Sequence, residues 1–130
     1  MDKEVAIGII QRRKKMSREI KFRIWDIINK RMLKYGKIMH LPMWEVFPGT
    51  PEQRPYNVMQ YTGFRDKNGK EIYEGDIVEL YDEEDLYKVE YQAENARFIL
   101  TTNTIVTDFE YYSHGEIEVV GNIYENPELT

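Results

Sequence analysis

The sequence lacks cysteine, contains two histidines and has no long apolar run, and each shortage narrows the possible functions. Without cysteine the chain cannot form disulfides, thiolate metal sites or a cysteine nucleophile, and its composition fits a reducing cytoplasm. His40 and His114 are far apart in sequence, whereas a zinc site needs three or four ligands. No apolar segment approaches the roughly 18 residues of a transmembrane helix. We therefore expect a cytoplasmic protein without cofactor, metal site or membrane contact.

Basic residues are also fewer than acidic ones. The chain has 18 Lys and Arg against 23 Asp and Glu, a formal net charge of −5. This balance argues against a protein-wide basic field for holding nucleic acid, although it leaves room for a local basic face. The charge is unevenly distributed, because residues 21–37 are basic and residues 71–94 are acidic. Such segregation would suit head-to-tail association of copies of the chain.

Aromatic residues are abundant, and they indicate strands. Aromatics make up 13% of the 130 residues, and ten of them are tyrosines, which pack well on a pleated surface. Apolar alternation predicts strands at residues 19–26, 31–37, 76–81, 86–92, 96–101, 104–112 and 116–124. We predict a mainly β fold, a small antiparallel barrel or meander, whose part from Gly75 onward has an SH3-like pattern.

The turns and loops follow from asparagine, glycine and proline. Asn68-Gly69 predicts a hairpin with a type I′ turn, in which both residues have positive φ. Gly75 predicts a second bend, after which a new strand begins. Five prolines punctuate residues 42–55 and 127, so residues 40–55 are predicted to be a long proline-rich loop and residues 125–130 a frayed polar tail.

Three separated motifs in this sequence resemble those of the YopX family, small proteins found mostly in bacteriophages and prophages. They are the central run at residues 59–63 (MQYTG), 66–70 (DKNGK) and 72–78 (IYEGDIV), the opening at 18–26 (REIKFRIWD) and the ending at 120–129 (VGNIYENPEL). The resemblance implies a single β domain at residues 16–130, encoded by a phage or prophage and acting in the bacterial host cell. The family has no established activity, so it supplies no catalytic residues.

The first fifteen residues have a different character. An apolar stretch is followed by Arg12-Arg13-Lys14-Lys15 and then Met16, which is the wrong order for a secretory signal. The basic run can be encoded as AGG AGG AAA AAA, a bacterial ribosome-binding sequence before a start codon. We expect residues 1–15 to be a flexible leader translated ahead of a natural start at Met16. A basic arm attracted to phosphates or membrane is the alternative.

The preferred functional hypothesis is a non-enzymatic binding or assembly module that contacts another protein chain, including copies of itself. The apolar anchors of the proline-rich loop are the expected contact: Leu41, Met43, Trp44 and Phe47. Trp44 is singled out because tryptophan is enriched at interface hot spots.

Nucleic-acid binding is the alternative hypothesis. The first predicted hairpin carries basic residues beside aromatic ones that can stack on unpaired bases. The candidate residues are Lys21, Arg23, Trp25, Arg31 and Lys34, with Lys30, Lys37, Phe22 and Tyr35 nearby. The competing interpretation is a solvated hairpin face whose aromatics belong to the core.

Catalysis is the third hypothesis, and the sequence supports it least. Glu71, Glu74 and Asp76 flank the bend at Gly75, and acid–base work would require two of these carboxylates to face one cleft with separated pKa values. The acidic run at residues 82–85 lacks the spacing of a calcium loop, so we interpret it as a solvated hairpin tip. No glycine or serine motif of a phosphate cradle or a triad is found.

Overall fold

The computed structural model describes residues 2–3, 18–47, 55–112 and 114–130. The strands within these ranges are β1 (Phe22–Asp26), β2 (Arg31–Leu33), β3 (Tyr56–Arg65), β4 (Glu71–Tyr73), β5 (Asp76–Leu80), β6 (Leu86–Gln92), β7 (Arg97–Thr101), β8 (Val106–Asp108) and β9 (Ile117–Asn122). Short helices α1 (Tyr35–Ile38) and α2 (Met43–Val46) follow β2, and 3-10 turns span Phe109–Tyr111, His114–Glu116 and Pro127–Leu129. Apart from positions 2 and 3, the expected leader at residues 1–15 lies outside the described residues.

The strands form two open antiparallel sheets. The first has the order β2-β1-β3-β4, and the second has the order β8-β7-β6-β5-β9. The predicted mainly β, antiparallel architecture is confirmed. Neighbouring strands of the first sheet are joined as hairpins, except that β3 pairs with β1 by running along the side of β1 that β2 leaves free. Ile24 is therefore opposite both Leu33 and Val58.

The hairpin between β1 and β2 is confirmed, but its second strand is shorter than predicted. The carboxylate of Asp26 accepts hydrogen bonds from the amides of Ile28 and Asn29, both at 3.1 Å, and closes the turn. Strand β2 ends at Leu33, and the predicted strand residues 35–37 form α1 instead. The helix buries Ile38 against Ile24, because helical rather than alternating spacing brings it back over the sheet.

The predicted loop at residues 40–55 contains α2. Pro42 precedes the helix in extended geometry, and Val46 is buried in the same apolar cluster as Ile38. Residues 48–54 lie outside the described residues, and β3 begins at Tyr56. The segment was predicted to be mainly loop, and the structure adds one helical turn at Met43–Val46, which burial of Val46 anchors.

The central hairpin joins β3 and β4 as predicted, but its turn is not type I′. Gly69 has φ +79°, whereas Asn68 does not have positive φ. The Gly69 amide donates to the Asp66 carbonyl at 3.0 Å and the Asp66 amide to the Lys70 carbonyl at 2.8 Å, which is a longer turn ending in a left-handed glycine. The Asp66 carboxylate decides this geometry, because its Oδ1 accepts the amides of Asn68 and Lys70, both at 2.9 Å.

Asp66 also fastens this hairpin to the second sheet. Its Oδ2 accepts the amide of Val119 in β9 at 3.0 Å, and the neighbouring Lys67 amide donates to the carbonyl of Ile117 at 2.9 Å. Burial alone would raise the pKa of Asp66, but the bonds from the amides of Val119, Lys70 and Asn68 outweigh burial, and the net shift is downward. The charged form of this carboxylate therefore stabilises the fold.

Gly75 is the point where the chain passes from the first sheet to the second. It has φ +87°, and its amide and carbonyl bond to the carbonyl of Val89 at 2.8 Å and the amide of Ile123 at 2.9 Å. A Cβ added here would lie 3.2 Å from the sulfur of Met59. Glycine is required for both the backbone angle and the close approach.

The C-terminal part departs from prediction in two places. The predicted strand at residues 104–112 contains only β8 and then a 3-10 turn that buries Phe109. The tail at residues 125–130 is held by hydrogen bonds rather than frayed, since the side chain of Asn126 accepts the amide of Asn122 at 3.1 Å and Pro127–Leu129 form a 3-10 turn.

The buried side chains form two clusters. Strand β5 and its neighbours contribute Ile72, Val78, Leu80, Tyr87, Val89, Leu100, Phe109 and Ile117 to the larger cluster. The smaller cluster lies under the first sheet and contains Ile24, Leu33, Ile38 and Val46. Because Ile72 belongs to β4 of the first sheet, the larger core extends across both sheets.

Replacement of Gly75 by alanine is expected to destabilise the protein by about 1–3 kcal/mol, from the unfavourable φ and the contact with Met59. Gly63→Ala is the matched control, because Gly63 has φ +90° with open space around it and isolates the backbone term. Gly36→Ala in α1 should be neutral or stabilising by up to about 1 kcal/mol. Urea denaturation compares the three variants, and an unchanged midpoint for Gly75→Ala would contradict the assignment.

Asp66→Asn is expected to cost about 2–4 kcal/mol at neutral pH, because the amide nitrogen cannot accept the Val119 amide and the charge is lost. Since the folded-state pKa of Asp66 is lowered from 3.8, its contribution is complete above that value and is lost as the pH falls through the lower pKa. The gap in unfolding free energy between parent and variant should therefore narrow at pH 3. Asp82→Asn, at an exposed turn carboxylate, is the control and should behave like the parent at both pH values. A gap that widens at low pH would refute this role of Asp66.

Candidate functional site

A polar groove of about 1230 Å³ lies between the two sheets. Its lining comes from β1, β2 and β4 of the first sheet and the start of α1, and from β5 and β9 of the second sheet. Six basic residues line it: Lys21, Arg23, Lys30, Arg31, Lys34 and Lys70. Three acidic residues are also present: Glu71, Asp76 and Glu125. We refer to this feature as the basic groove.

A buried ion pair lies at the base of the basic groove. The Nη2 of Arg23 lies 2.7 Å from the Oδ1 of Asp76, which is 1% exposed, and 3.4 Å from the carbonyl oxygen of Glu74. The amide of Tyr73 donates to the other carboxylate oxygen of Asp76 at 2.7 Å. The guanidinium of Arg23 lies 4.7 Å from the centre of the Tyr73 ring. The pair therefore joins β1 of the first sheet to β5 of the second.

Burial shifts the titration of the groups around this pair. It raises the pKa of Asp76, and the charge of Arg23 and the Tyr73 amide oppose that shift. Burial, followed by the charge of Glu71, raises the pKa of Tyr73 to about 12. The Tyr73 phenol therefore remains protonated at neutral pH and donates a hydrogen bond toward Glu71 at 3.4 Å.

One donor in the basic groove is left without an acceptor. The Nε of Arg23 is buried and has no hydrogen-bond partner among the described residues. Arg23 as a whole is only 9% exposed. A buried N–H without an acceptor costs about 1–3 kcal/mol, so this position is unfavourable unless another group supplies an acceptor.

Lys21, another basic residue of the groove, is already paired with two carboxylates. The Nζ of Lys21 lies 2.8 Å from a carboxylate oxygen of Glu19 and 2.6 Å from one of Glu71. Its hydrogen bonds to Glu19 and then Glu71 raise the pKa of Lys21 well above its ordinary value. Lys21 is therefore a charged but internally paired member of the groove.

The other four cations are at the rim and exposed. Arg31 lies 3.8 Å from the carboxylate of Asp26, a loose pair with the Arg31 side chain 62% exposed. Within the part of the chain that the structure describes, Lys30, Lys34 and Lys70 form no ion pair within 4.0 Å. The rim of the basic groove thus carries one loosely paired arginine and three lysines without a close carboxylate among the described residues, so the fold compensates its positive charge only in part.

The nucleic-acid candidates are only partly brought together. Lys21, Arg23, Arg31 and Lys34 all line the basic groove. Trp25 is not among its lining residues, and its ring stacks on Tyr124 with an interplanar angle of 12°. Sequence reasoning did not include Lys70, because it lies in the β3–β4 hairpin, and the pairing of β3 with β1 places that hairpin in the same sheet as the first one. The assignment of nucleic-acid binding to these residues stays a prediction.

The three carboxylates near Gly75 are engaged by the fold rather than directed into solvent. Asp76 is paired with Arg23, Glu71 with Lys21, and Glu74 accepts the amide of Gln60 at 3.2 Å. Each therefore has a structural partner, and the interpretation of the chain as a non-enzyme stays a prediction. Among the described residues, no group of three or more His, Cys, Asp or Glu side chains is arranged to hold a metal ion.

The apolar candidates occupy a separate surface. Trp44 is 72% exposed and Met43 71% exposed on α2, and Met39 is 67% exposed after α1. Phe47 contacts the edge of Phe22 with ring centres 5.9 Å apart, so it is only partly exposed. We call these four residues the Trp44 surface. Leu41, the remaining candidate, packs against the smaller core.

Among the described residues, none of the helices has the length and apolarity needed to span a membrane.

Comparison with known proteins identifies relatives over most of the chain. The family model described as "YopX protein" matches residues 21–130. The crystal structure of protein EF1440 from Enterococcus faecalis has 29% sequence identity and a TM-score of 0.60, covering 87% of this chain and 99% of that one. The crystal structure of yopX from Bacillus subtilis has 21% identity and a TM-score of 0.53, covering 85% and 97%, and supports the fold. No curated protein matches the sequence.

Arg23→Met is expected to destabilise the protein by about 3–5 kcal/mol, because it leaves the Asp76 carboxylate buried without its cation. Adding Asp76→Asn should recover part of this loss, since asparagine keeps an acceptor for the Tyr73 amide without a charge. Lys88→Met breaks the exposed pair with Glu90, at 2.8 Å, and should change stability by less than about 1 kcal/mol. Urea denaturation of the four proteins gives the comparison. Equal losses for Arg23→Met and Lys88→Met would show that the buried pair does not hold the sheets.

Proposed function

The chain belongs to the YopX family, and on this basis we propose that it is a phage- or prophage-encoded, non-enzymatic binding or assembly module that acts in the cytoplasm of the bacterial host. The partner is another protein chain, and a second copy of this chain is the case tested first. The observation that supports the proposal is the exposure of Trp44 and Met43 on an anchored helical turn.

Exposed tryptophan and methionine are typical of the central part of an interface. Tryptophan, methionine and phenylalanine are enriched in protein contacts, and tryptophan is over-represented among residues that dominate binding energy. Three of the four residues of the Trp44 surface are exposed by more than two thirds. Burying an aromatic side chain of this kind stabilises a complex by about 1.5–3 kcal/mol.

The Trp44 surface is held in place before any partner arrives. Val46 in α2 and Ile38 in α1 are both buried in the smaller core, so the backbone that carries Trp44 is tied to β1. The amide of Phe47 donates to the carbonyl of Met43 at 2.7 Å and closes the turn. A surface that is already ordered loses little conformational entropy on binding, which favours affinity.

Nucleic-acid binding remains the second candidate, with a different set of residues from the one expected. Lys21 and Arg23 are paired with carboxylates, and Trp25 is stacked within the fold, so the first hairpin by itself offers fewer free groups. The observation that supports nucleic-acid binding is the set of groove lysines that form no ion pair among the described residues: Lys30, Lys34 and Lys70.

Trp44→Ala is expected to weaken self-association at least tenfold without changing stability by more than about 0.5 kcal/mol, because the side chain is exposed in the single chain. Tyr81→Ala is the matched control, since Tyr81 is also 72% exposed but lies at the end of β5. Light scattering across a concentration series at low and moderate salt measures the mass in units of the 15.6-kDa chain. A chain that remains a monomer at every concentration, or an equal effect of both variants, contradicts assembly through this surface.

A further inference from the structure

We infer that the basic groove is a binding site for a phosphate-bearing ligand, held by Lys30, Arg31, Lys34 and Lys70 at its rim with Arg23 at its base. This inference is independent of the protein contact proposed for the Trp44 surface. It rests on the convergence of charge around the groove, on the Arg23 guanidinium at its base and on the hydrogen bonds that occupy the edge of β9.

The convergence is notable because the chain as a whole is acidic. Four basic side chains from two separate hairpins meet around one groove in a protein with a net charge of −5. Lys30, Arg31 and Lys34 flank β2, whereas Lys70 precedes β4 and lies far from them in sequence. Like charges gathered at one place repel each other, and an anion bound among them removes that repulsion.

The fold pairs the inner cations closely with carboxylates, whereas the only ion pair at the rim among the described residues is the loose one between Arg31 and Asp26. Lys21 and Arg23 each have a carboxylate within 2.7 Å, and their side chains are largely covered. The rim cations project into solvent around a groove of about 1230 Å³, which can hold a ligand larger than a single ion. A chain of phosphates fits such a rim, because each lysine acts as a point charge and needs no fixed geometry.

Arg23 supplies the second observation. Its guanidinium lines the groove, and its buried Nε has no acceptor among the described residues. Arginine presents several donors in a planar fork that matches phosphate oxygens. A phosphate group bound in the groove is attracted by the positive charge of this guanidinium at the base, while the Nε itself is buried and not exposed to solvent.

An extended acidic peptide fits this site less well than a phosphate ligand. A peptide that adds to a sheet edge gains affinity from main-chain hydrogen bonds. The outer edge of β9 beside the groove is already occupied: the Val119 amide bonds to Asp66, the Ile117 carbonyl to the Lys67 amide, and the Asn122 amide to Asn126. On its β9 side the groove therefore offers side-chain charge rather than a free strand edge.

The experiment measures binding of the full chain to a labelled twelve-nucleotide oligothymidylate by fluorescence anisotropy. Inorganic phosphate is titrated separately at constant ionic strength, and hexaglutamate serves as the carboxylate probe. If four phosphates are neutralised, affinity for the single strand should fall about 50-fold between about 50 and 200 mM salt. Lys34→Gln and Lys70→Gln should each weaken binding and make the slope of log affinity against log salt shallower by about 0.7.

Lys37→Gln is the matched control. Lys37 lies in α1 close to Lys34 in sequence, carries the same charge and does not line the groove. Circular dichroism and urea midpoints of all three variants should match the parent, because each replaced lysine is exposed.

The outcomes separate cleanly. Loss of oligonucleotide binding in Lys34→Gln and Lys70→Gln but not in Lys37→Gln supports a nucleic-acid source for the phosphate. The same pattern with inorganic phosphate, together with an oligonucleotide that binds no more tightly than inorganic phosphate does, supports a free phosphate source. Equal effects of Lys34→Gln and Lys37→Gln with none from Lys70→Gln would overturn the groove in favour of general attraction to the first hairpin. Tight binding of hexaglutamate, or binding of no probe, would also overturn it.

Discussion

The buried pair between Arg23 and Asp76 is the interaction on which the arrangement of the two sheets depends. It links β1 to β5 at 2.7 Å, directly after Gly75 carries the chain from one sheet into the other. A buried ion pair contributes little net stability, since desolvation offsets much of the attraction, but removal of one partner is severely unfavourable. The pair therefore acts mainly as a constraint on geometry. Its two charges can be buried together only when the sheets meet in this relative position.

The basic groove is a consequence of that constraint. Arg23 and Asp76 hold the sheets at its base, and Asp66 ties the tip of the central hairpin to β9. This second contact brings Lys70 to the rim opposite Lys34. The Trp44 surface depends on different contacts, because Val46 and Ile38 anchor its two helices to the smaller core. The protein thus presents an apolar surface and a basic groove that depend on different contacts and can be altered separately.

Sequence reasoning succeeded where the determining contacts are local. Strand β6 spans the predicted residues 86–92. Tyr87 and Val89 both point toward the core, and this period of two is set by residues next to each other in the sequence. It failed where a side chain overrides backbone preference. The carboxylate of Asp66 captures two amides and changes the turn at Asn68, and burial of Ile38 converts a predicted strand into α1. The side chain of Asn126 likewise accepts the amide of Asn122 and so orders a tail whose composition is typical of a frayed end.

The sequence by itself determined the family, the antiparallel β architecture, the hairpins around Asn29 and Gly69, and the two residue sets worth testing. These features are encoded by the spacing of hydrophobic residues and by the residue types at turns, and both signals involve residues that lie close together in the sequence. Only the tertiary structure decided which charges are free. Arg23 looks like an exposed basic residue of a hairpin, yet it is buried on Asp76, while Lys70 joins a groove whose other basic residues all lie at positions 21–34. The physical reason is that compensation of a charge depends on distance in space, and the partners here are about fifty residues apart along the chain.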